Sequence, residues 1–400
     1  MSGSVSRRPR WIRQYIHNVL SYYYPRCIDT HFGGYIAQLD EQDGHVYDAR
    51  TKHLVATARA VHNFSVGCLL EGPVWCRAAA EHGLTFLQTG HWDDTHEGYD
   101  WLLAGRDTED ATRHCYGHAF VMLAGARAHQ AGIDRGRETL ERAFAVVDEH
   151  FWEPEHGLCA DDASADWSDV SPYRGLNANM HTCEALLAAY EATGESRYLD
   201  RAATIAERVT RDLAQSDDGR LWEHYTADWD ADFDYNRDDP THQFRPWGYQ
   251  PGHHVEWAKL LLILHRHAPE AWHVTRANAL FDTAVDSGWD DAGGGFFYTV
   301  DREGEPAVTD KYGWEVTEAI GAAALLSRHD EAYLEWYDRL WDYAHEHFVN
   351  PRHGNWYERV THEHQRDGPN HGVAVEPGYH PINNAWVAVQ VFEDEHESAR

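Results

Sequence analysis

Lysine is almost missing from this 400-residue chain. It occurs only at Lys52, Lys259 and Lys311, so nearly every cation is an arginine, and 66 acidic residues against 34 lysines and arginines leave a formal charge of −32. That balance excludes the basic footprint by which proteins bind nucleic acids and anionic membranes. It also implies self-repulsion in dilute salt, which concentrated salt screens down to a few ångströms. The composition is that expected of a halophilic protein. Paired cysteine spacing is lacking too: Cys27, Cys68, Cys76, Cys115, Cys159 and Cys183 lie scattered with no Cys-x-x-Cys. Buried free thiols in a reducing cytoplasm fit this better than a disulfide framework.

No apolar run approaches the length of a membrane span. The stretch Ser6-Arg7-Arg8-Pro9-Arg10 looks superficially like a twin-arginine signal, but Trp11 to Leu20 after it is amphipathic and internally charged, unlike an export core. A soluble cytoplasmic protein is expected, monomeric or homodimeric. Absent as well are a Gly-x-x-x-x-Gly-Lys phosphate loop, a dinucleotide fingerprint, a Gly-x-Ser-x-Gly elbow and a His-Glu-x-x-His pair. Despite 30 histidines, the clusters His345/His347 and His362/His364 stand in polar contexts. No metal and no cofactor is expected.

What is present is a phrase repeated six times. Glycine recurs in His31-Phe32-Gly33-Gly34-Tyr35, His96-Glu97-Gly98-Tyr99, Glu155-His156-Gly157-Leu158, Asp217-Asp218-Gly219-Arg220, Gly293-Gly294-Gly295-Phe296 and Arg352-His353-Gly354-Asn355-Trp356. Helical periodicity runs between the phrases. First helices are expected over Trp11–Tyr24, Val74–Thr89, Arg137–Phe151, Arg197–Ala214, Glu270–Ser287 and Glu331–Phe348. Second helices are expected over Lys52–Leu70, Arg113–Gln130, Ala178–Glu191, Gly252–His267, Trp314–Ser327 and Pro381–Phe392. The first set carries charged faces and reads as an outer ring, and the second is poor in charge and rich in small residues. Twelve alternating helices describe an all-α toroid of six hairpins, one catalytic domain over residues 1–400, with the glycine phrases as turns or two-stranded ribbons on one face. The longest insertion, Thr226 to Gln250, carries Arg245, Trp247 and Tyr249 and is expected to cover a pocket.

The second helices open on chemically rich side chains, which a ring would bring to one end of its axis. In Gln250-Pro251-Gly252-His253-His254-Val255-Glu256-Trp257, His253 and Glu256 stand at i and i+3, a spacing repeated at His181 and Glu184. A carboxylate beside an imidazole sets its tautomer and basicity, and a histidine near pKa 6.5 can take and return a proton at neutral pH. His253 and His380 are the expected proton-transfer pair, with His181 as a third group for ring opening or orientation. Arg59 keeps its proton and suits an oxyanion clamp. Trp314, Trp247 and Tyr116 are candidate sugar platforms, Glu318 a hydroxyl ligand or second carboxylate, and Asn177 a further substrate contact. His62 is read equally as ligand or core residue, and His118 as packing.

The series Thr57 to Ser65, Tyr116 to Phe120, Asn177 to Ala185, Pro251 to Trp257, Trp314 to Glu318 and Tyr379-His380 resembles the N-acylglucosamine 2-epimerase superfamily over nearly the whole chain. The resemblance implies an (α/α)6 barrel and an enzyme of sugars. The motif around His253 is most similar to the aldose–ketose isomerase branch, which acts on mannose or sulfoquinovose. It implies catalytic histidines at His253 and His380, a third at His181, a clamping arginine at Arg59, and cofactor-independent isomerisation of an unphosphorylated aldose, mannose to fructose first. The sixth motif, Glu376-Pro377-Gly378-Tyr379-His380, lacks the lysine and the following arginine or glutamine expected near it. A 2-epimerase is the alternative within the superfamily. A glycoside hydrolase using paired carboxylates such as Glu256 and Glu318 is the alternative on the same fold.

Overall fold

The computed structural model describes residues 4–366 and 372–398. Among them twelve α-helices follow in alternation: α1 Pro9–Tyr23, α2 Leu54–Leu69, α3 Trp75–Phe86, α4 Cys115–Gln130, α5 Gly136–Val146, α6 Leu176–Thr193, α7 Ser196–Glu207, α8 Pro251–His267, α9 Ala271–Gly288, α10 Gly313–Leu326, α11 Tyr333–His347 and α12 Tyr379–Ser398. The odd helices are one-sided. In α7 the buried residues are Tyr198, Ala202, Ile205 and Ala206, a single stripe at helical spacing. The even helices are buried all round, and α4 buries every residue from Gly117 to Ala128. Around the ring α2 packs on α4, then α6, α8, α10 and α12 follow, and α12 returns to α2, with the odd helices outside them. This is the (α/α)6 barrel.

Small residues set the spacing of the rings. A Cβ at Gly125 of α4 would lie 2.5 Å from the backbone nitrogen of Leu140 in α5, so a larger residue would force the two helices apart. The glycine phrases form tight turns and short antiparallel ribbons, such as Trp92–Asp93 with Gly98–Tyr99. Gly295 shows why glycine recurs: its φ is +79°, and an added Cβ would lie 2.2 Å from the Tyr343 hydroxyl oxygen.

Four of these turns are tied to the following even helix by a buried cation. Lys52 Nζ donates to Asp29 at 2.6 Å, Arg113 to Asp93 and Asp100 at 2.6 and 2.7 Å, Arg174 to Glu153 at 2.9 Å, and Lys311 to Asp290 at 2.7 Å. Each cation stands one to three residues before its helix, so the pair anchors the strand that aims the helix start.

Helix boundaries differ from expectation where local chemistry extends or shortens them. Helix α6 starts at Leu176, after an extended Gly175, and α12 starts at Tyr379. Pro381 therefore lies in a first turn, where its missing N–H costs no hydrogen bond. Both Asn177 and His380 are thereby held on helix. The α-helical part of α7 ends at Glu207, and a π-helical turn, Arg208–Asp212, takes its place toward Ala214.

Candidate active site

The starts of the even helices converge on one cavity of about 700 Å³. Arg59, Tyr116, Asn177, His181, His253, Glu256, Trp314 and His380 all line it, so eight residues singled out in the sequence meet there. The insertion covers it with Thr241, Gln243, Phe244 and Pro246.

His253 lies in the first turn of α8. Its Nδ1 is 2.9 Å from Glu223 Oε2 and 3.1 Å from Gln250 Nε2. Burial disfavours the imidazolium, but the Glu223 carboxylate outweighs it and raises the histidine above its ordinary value. His380 is held from both sides: Nδ1 meets Glu318 Oε1 at 2.6 Å, and Nε2 lies 3.2 Å from Glu376 Oε1. Burial again opposes the charge, yet Glu376 and Glu318 together raise His380 to about 9. The Trp314 ring stands between the two imidazoles, 5.3 Å from His253 and 5.7 Å from His380 between centroids. His181 pairs through Nδ1 with Glu184 at 3.0 Å and packs against Tyr116 and Phe120.

Arg59 is 2% exposed. Its guanidinium is sandwiched between Phe120 and Tyr379, 4.3 and 4.8 Å from their ring centres, and donates to Tyr116 Oη at 3.0 Å and to the Val375 carbonyl at 3.1 Å. A further N–H donates to the Glu376 carboxylate. Asn177 Oδ1 is buried and accepts no hydrogen bond from the described residues.

Three expectations need correction. Glu256 is not the partner of His253, whose ring faces Glu223; both Glu256 oxygens are buried without a hydrogen bond from the described residues, and burial followed by repulsion from Glu318 raises its pKa. Glu318 does not contact substrate space: it is fully buried, with one oxygen on His380 and Asn384 and the other on Lys259. Glu256 and Glu318 are therefore not presented to the cavity as a pair. Trp247 lies outside the lining because its Nε1 donates 2.8 Å to the Phe233 carbonyl, which turns the ring toward Trp222.

His62 is core, with neither ring nitrogen hydrogen-bonded among the described residues and burial lowering it to about 3. His118 Nε2 accepts the Tyr99 N–H at 3.2 Å while Nδ1 reaches the His114 carbonyl at 2.7 Å, a neutral structural tautomer. Arg245 pairs with Asp162 outside the cavity, whereas Arg359 and Arg366 lie in its wall. Glu223 and Glu376 escaped the sequence reading. Glu376 stands four residues before His380, a spacing that could have flagged it, but Glu223 precedes His253 by 30 residues with no local signal. Donor atoms of His181, Glu184 and Glu256, and of Glu256, Glu318 and His380, cluster within 4.8 Å. The Lys259 ammonium already stands among these carboxylates. No helix among the described residues is long and apolar enough to cross a membrane. The six cysteines are free, and all but Cys68 are buried.

Comparison with known proteins agrees with this fold. The family model of N-acylglucosamine 2-epimerase matches residues 34–382. A D-mannose isomerase of Marinomonas mediterranea is 41% identical over 385 residues, covering 96% of this chain and 97% of that protein. A crystal structure of D-mannose isomerase superposes with a TM-score of 0.93 at 39% identity, covering 97% of this chain and all of the other. The cellobiose 2-epimerase of Bacillus thermoamylovorans shares the fold, with a TM-score of 0.82 at 17% identity over 96% of this chain and all of that one.

Proposed function

Because the chain belongs to the N-acylglucosamine 2-epimerase family, we propose that it is a cofactor-independent aldose–ketose isomerase converting mannose to fructose. The observation that carries this reading is the pair of imidazoles, His253 and His380, facing one cavity across Trp314, each with a buried carboxylate on Nδ1. That bond leaves Nε2 of His253 to face the sugar, and Nε2 of His380 to face it once Glu376 gives way. The full-length similarity to D-mannose isomerases supports the substrate. The wall sets Asp40, Glu41, Glu256, Glu358 and Glu376 against Arg59, Arg359 and Arg366, so the unphosphorylated sugar rests on the similarity to D-mannose isomerases.

In this mechanism the pyranose opens with help from His181 and Glu256. His253, with a single carboxylate partner, takes the C2 proton. The C2–H electron pair becomes the C1–C2 double bond of a cis-enediolate, and O1 receives the former carbonyl electrons. Arg59 clamps that oxygen once Glu376 yields its place, as preorganised cations do at developing charge. His380, gripped by two carboxylates, holds its proton at neutral pH and moves a proton between O1 and O2. Return of the His253 proton to C1 leaves the carbonyl at C2.

Incubation with mannose in D2O tests this. Deuterium at C1 of fructose is expected; label at C2 of glucose would make the enzyme an epimerase, and mannose recovered unchanged with neither product formed would refute both. His253→Ala and His380→Ala should each abolish turnover, and full activity in both sinks the proton-transfer reading. The acidic surplus further supports a salt-adapted enzyme, and the six free cysteines support a reducing, cytoplasmic setting.

A further inference from the structure

All three lysines of the chain are buried, at 0–1% exposure. Lys52 and Lys311 tie turns to helices, as described above. Lys259 does not: it lies six residues beyond His253 on α8, about 9 Å deeper along the helix axis, and serves no turn.

Its ammonium stands among three carboxylates from three helices. Nζ donates to Glu318 of α10 and lies 3.5 Å from Glu256 of α8 and 3.9 Å from Glu184 of α6. Two of these carboxylates are the Nδ1 partners of site histidines: Glu318 holds His380 at 2.6 Å and Glu184 holds His181 at 3.0 Å. Both carboxylates keep a second, neutral donor from α12, Asn384 at 2.7 Å on Glu318 and Asn383 at 3.0 Å on Glu184. Other titratable groups facing this cluster are Arg59 and His62 from α2, Tyr116 from α4, Cys183 from α6 and Tyr379 from α12, the last raised first by burial and then by the same acids. Three buried carboxylates without a cation would take up protons, because burial penalises the ionised form. A protonated Glu318 or Glu184 would be a weaker, uncharged acceptor and would hold its imidazole less firmly.

We propose that Lys259 is the positioning residue of this site: its ammonium keeps Glu184 and Glu318 ionised as the acceptors that orient His181 and His380, and so couples the two rings to one shared charge. Burial raises Glu184 and Glu318, and the Lys259 charge reverses it so that both end below the usual carboxylate value. Glu256, farther from the ammonium than Glu318 and without a histidine bond, moves the other way. The inference rests on the histidines being the proton carriers, but its test does not.

The intact enzyme labelled with 15N-lysine offers three ammonium signals, two of which are internal controls. Across a pH titration, and on addition of mannitol as a non-isomerisable open-chain polyol, the Lys259 resonance should move while those of Lys52 and Lys311 hold. A Lys259 signal that stays still overturns the proposal, whatever the histidine variants do. In Lys259→Met, kcat should fall on the order of 100-fold with KM within about threefold, and the acid limb of kcat should move to higher pH. A folded Lys259→Met with an unmoved acid limb would also overturn it. If that variant does not fold, the wild-type spectra decide.

Discussion

The carboxylate of Glu223 meets Nδ1 of His253 at 2.9 Å, and its other oxygen, buried with it, accepts no hydrogen bond from the described residues. The glutamate is thus committed to one imidazole. Glu223→Gln keeps the shape but removes the charge that raises the ring. It should lower kcat by about 10- to 100-fold, the usual cost of losing a partner behind a functional histidine, with little change in KM. Steady-state kinetics on mannose measure this, and a kcat within a factor of two of wild type contradicts the role given to Glu223.

Glu376 bridges Arg59 and His380 Nε2 in the wall of the cavity. Because His380 is raised to about 9 and His253 also lies above 6.5, kcat/KM should form a bell with its acid limb above 6.5 and its basic limb near 9. Glu376→Gln removes one of the two charges on His380 and should shift the basic limb to lower pH. A pH–rate series on both proteins reads the shift, and a coincident basic limb in the two would refute it.

The same group makes stability depend on pH. A folded-state histidine value of about 9 lies above the unfolded 6.5, so the stabilisation from charged His380 is fully present below pH 6.5 and is lost as pH rises through 9. Urea midpoints should fall between pH 7 and pH 10 by more in the wild type than in His380→Gln. Equal falls would assign the loss to other groups.

With a formal charge of −32, intramolecular repulsion should weaken the fold in dilute buffer and be relieved by salt. The melting temperature is expected to rise between 0.1 M and 2 M sodium chloride, with activity retained at the higher concentration. A melting temperature that falls over this range contradicts salt adaptation.

Burial of Lys52, Lys259 and Lys311 at 0–1% exposure leaves no lysine amine for reagents to reach. An amine-directed ester should leave Lys52, Lys259 and Lys311 unlabelled in the native protein and label them only after denaturation. Peptide mapping by mass spectrometry distinguishes the two states, and native labelling of Lys259 would mean that the charge cluster opens to solvent.

Some of this was written locally. The glycine phrases and the alternation of charged with small-residue helices carried the barrel, because a helix buries a stripe or its whole surface according to its own periodicity. Helix-start motifs brought His181, His253, His380 and Arg59 into one cavity for the same reason. Identical i, i+3 spacing then gave opposite outcomes. His181 does pair with Glu184, while His253 turns away from Glu256 toward a ribbon residue, and Lys259 stands 3.5 Å from the carboxylate left behind. Spacing puts two side chains on one face, but neighbouring elements choose the rotamers.

By itself, then, the sequence determined the number and order of the helices, the acidic surface, and the histidines at the helix mouths, since each is a property of composition or of a few consecutive residues. Only the tertiary structure decided which carboxylate serves which ring. Glu223 with His253, Glu318 with His380, and Glu376 with Arg59 are contacts across 30, 62 and 317 residues. Such pairs exist only once the ring has closed and excluded water, because burial is what makes an unpaired charge costly and its partner necessary. The three scarce lysines follow the same rule: their rarity is plain in the chain, and their burial against acids is a product of the fold.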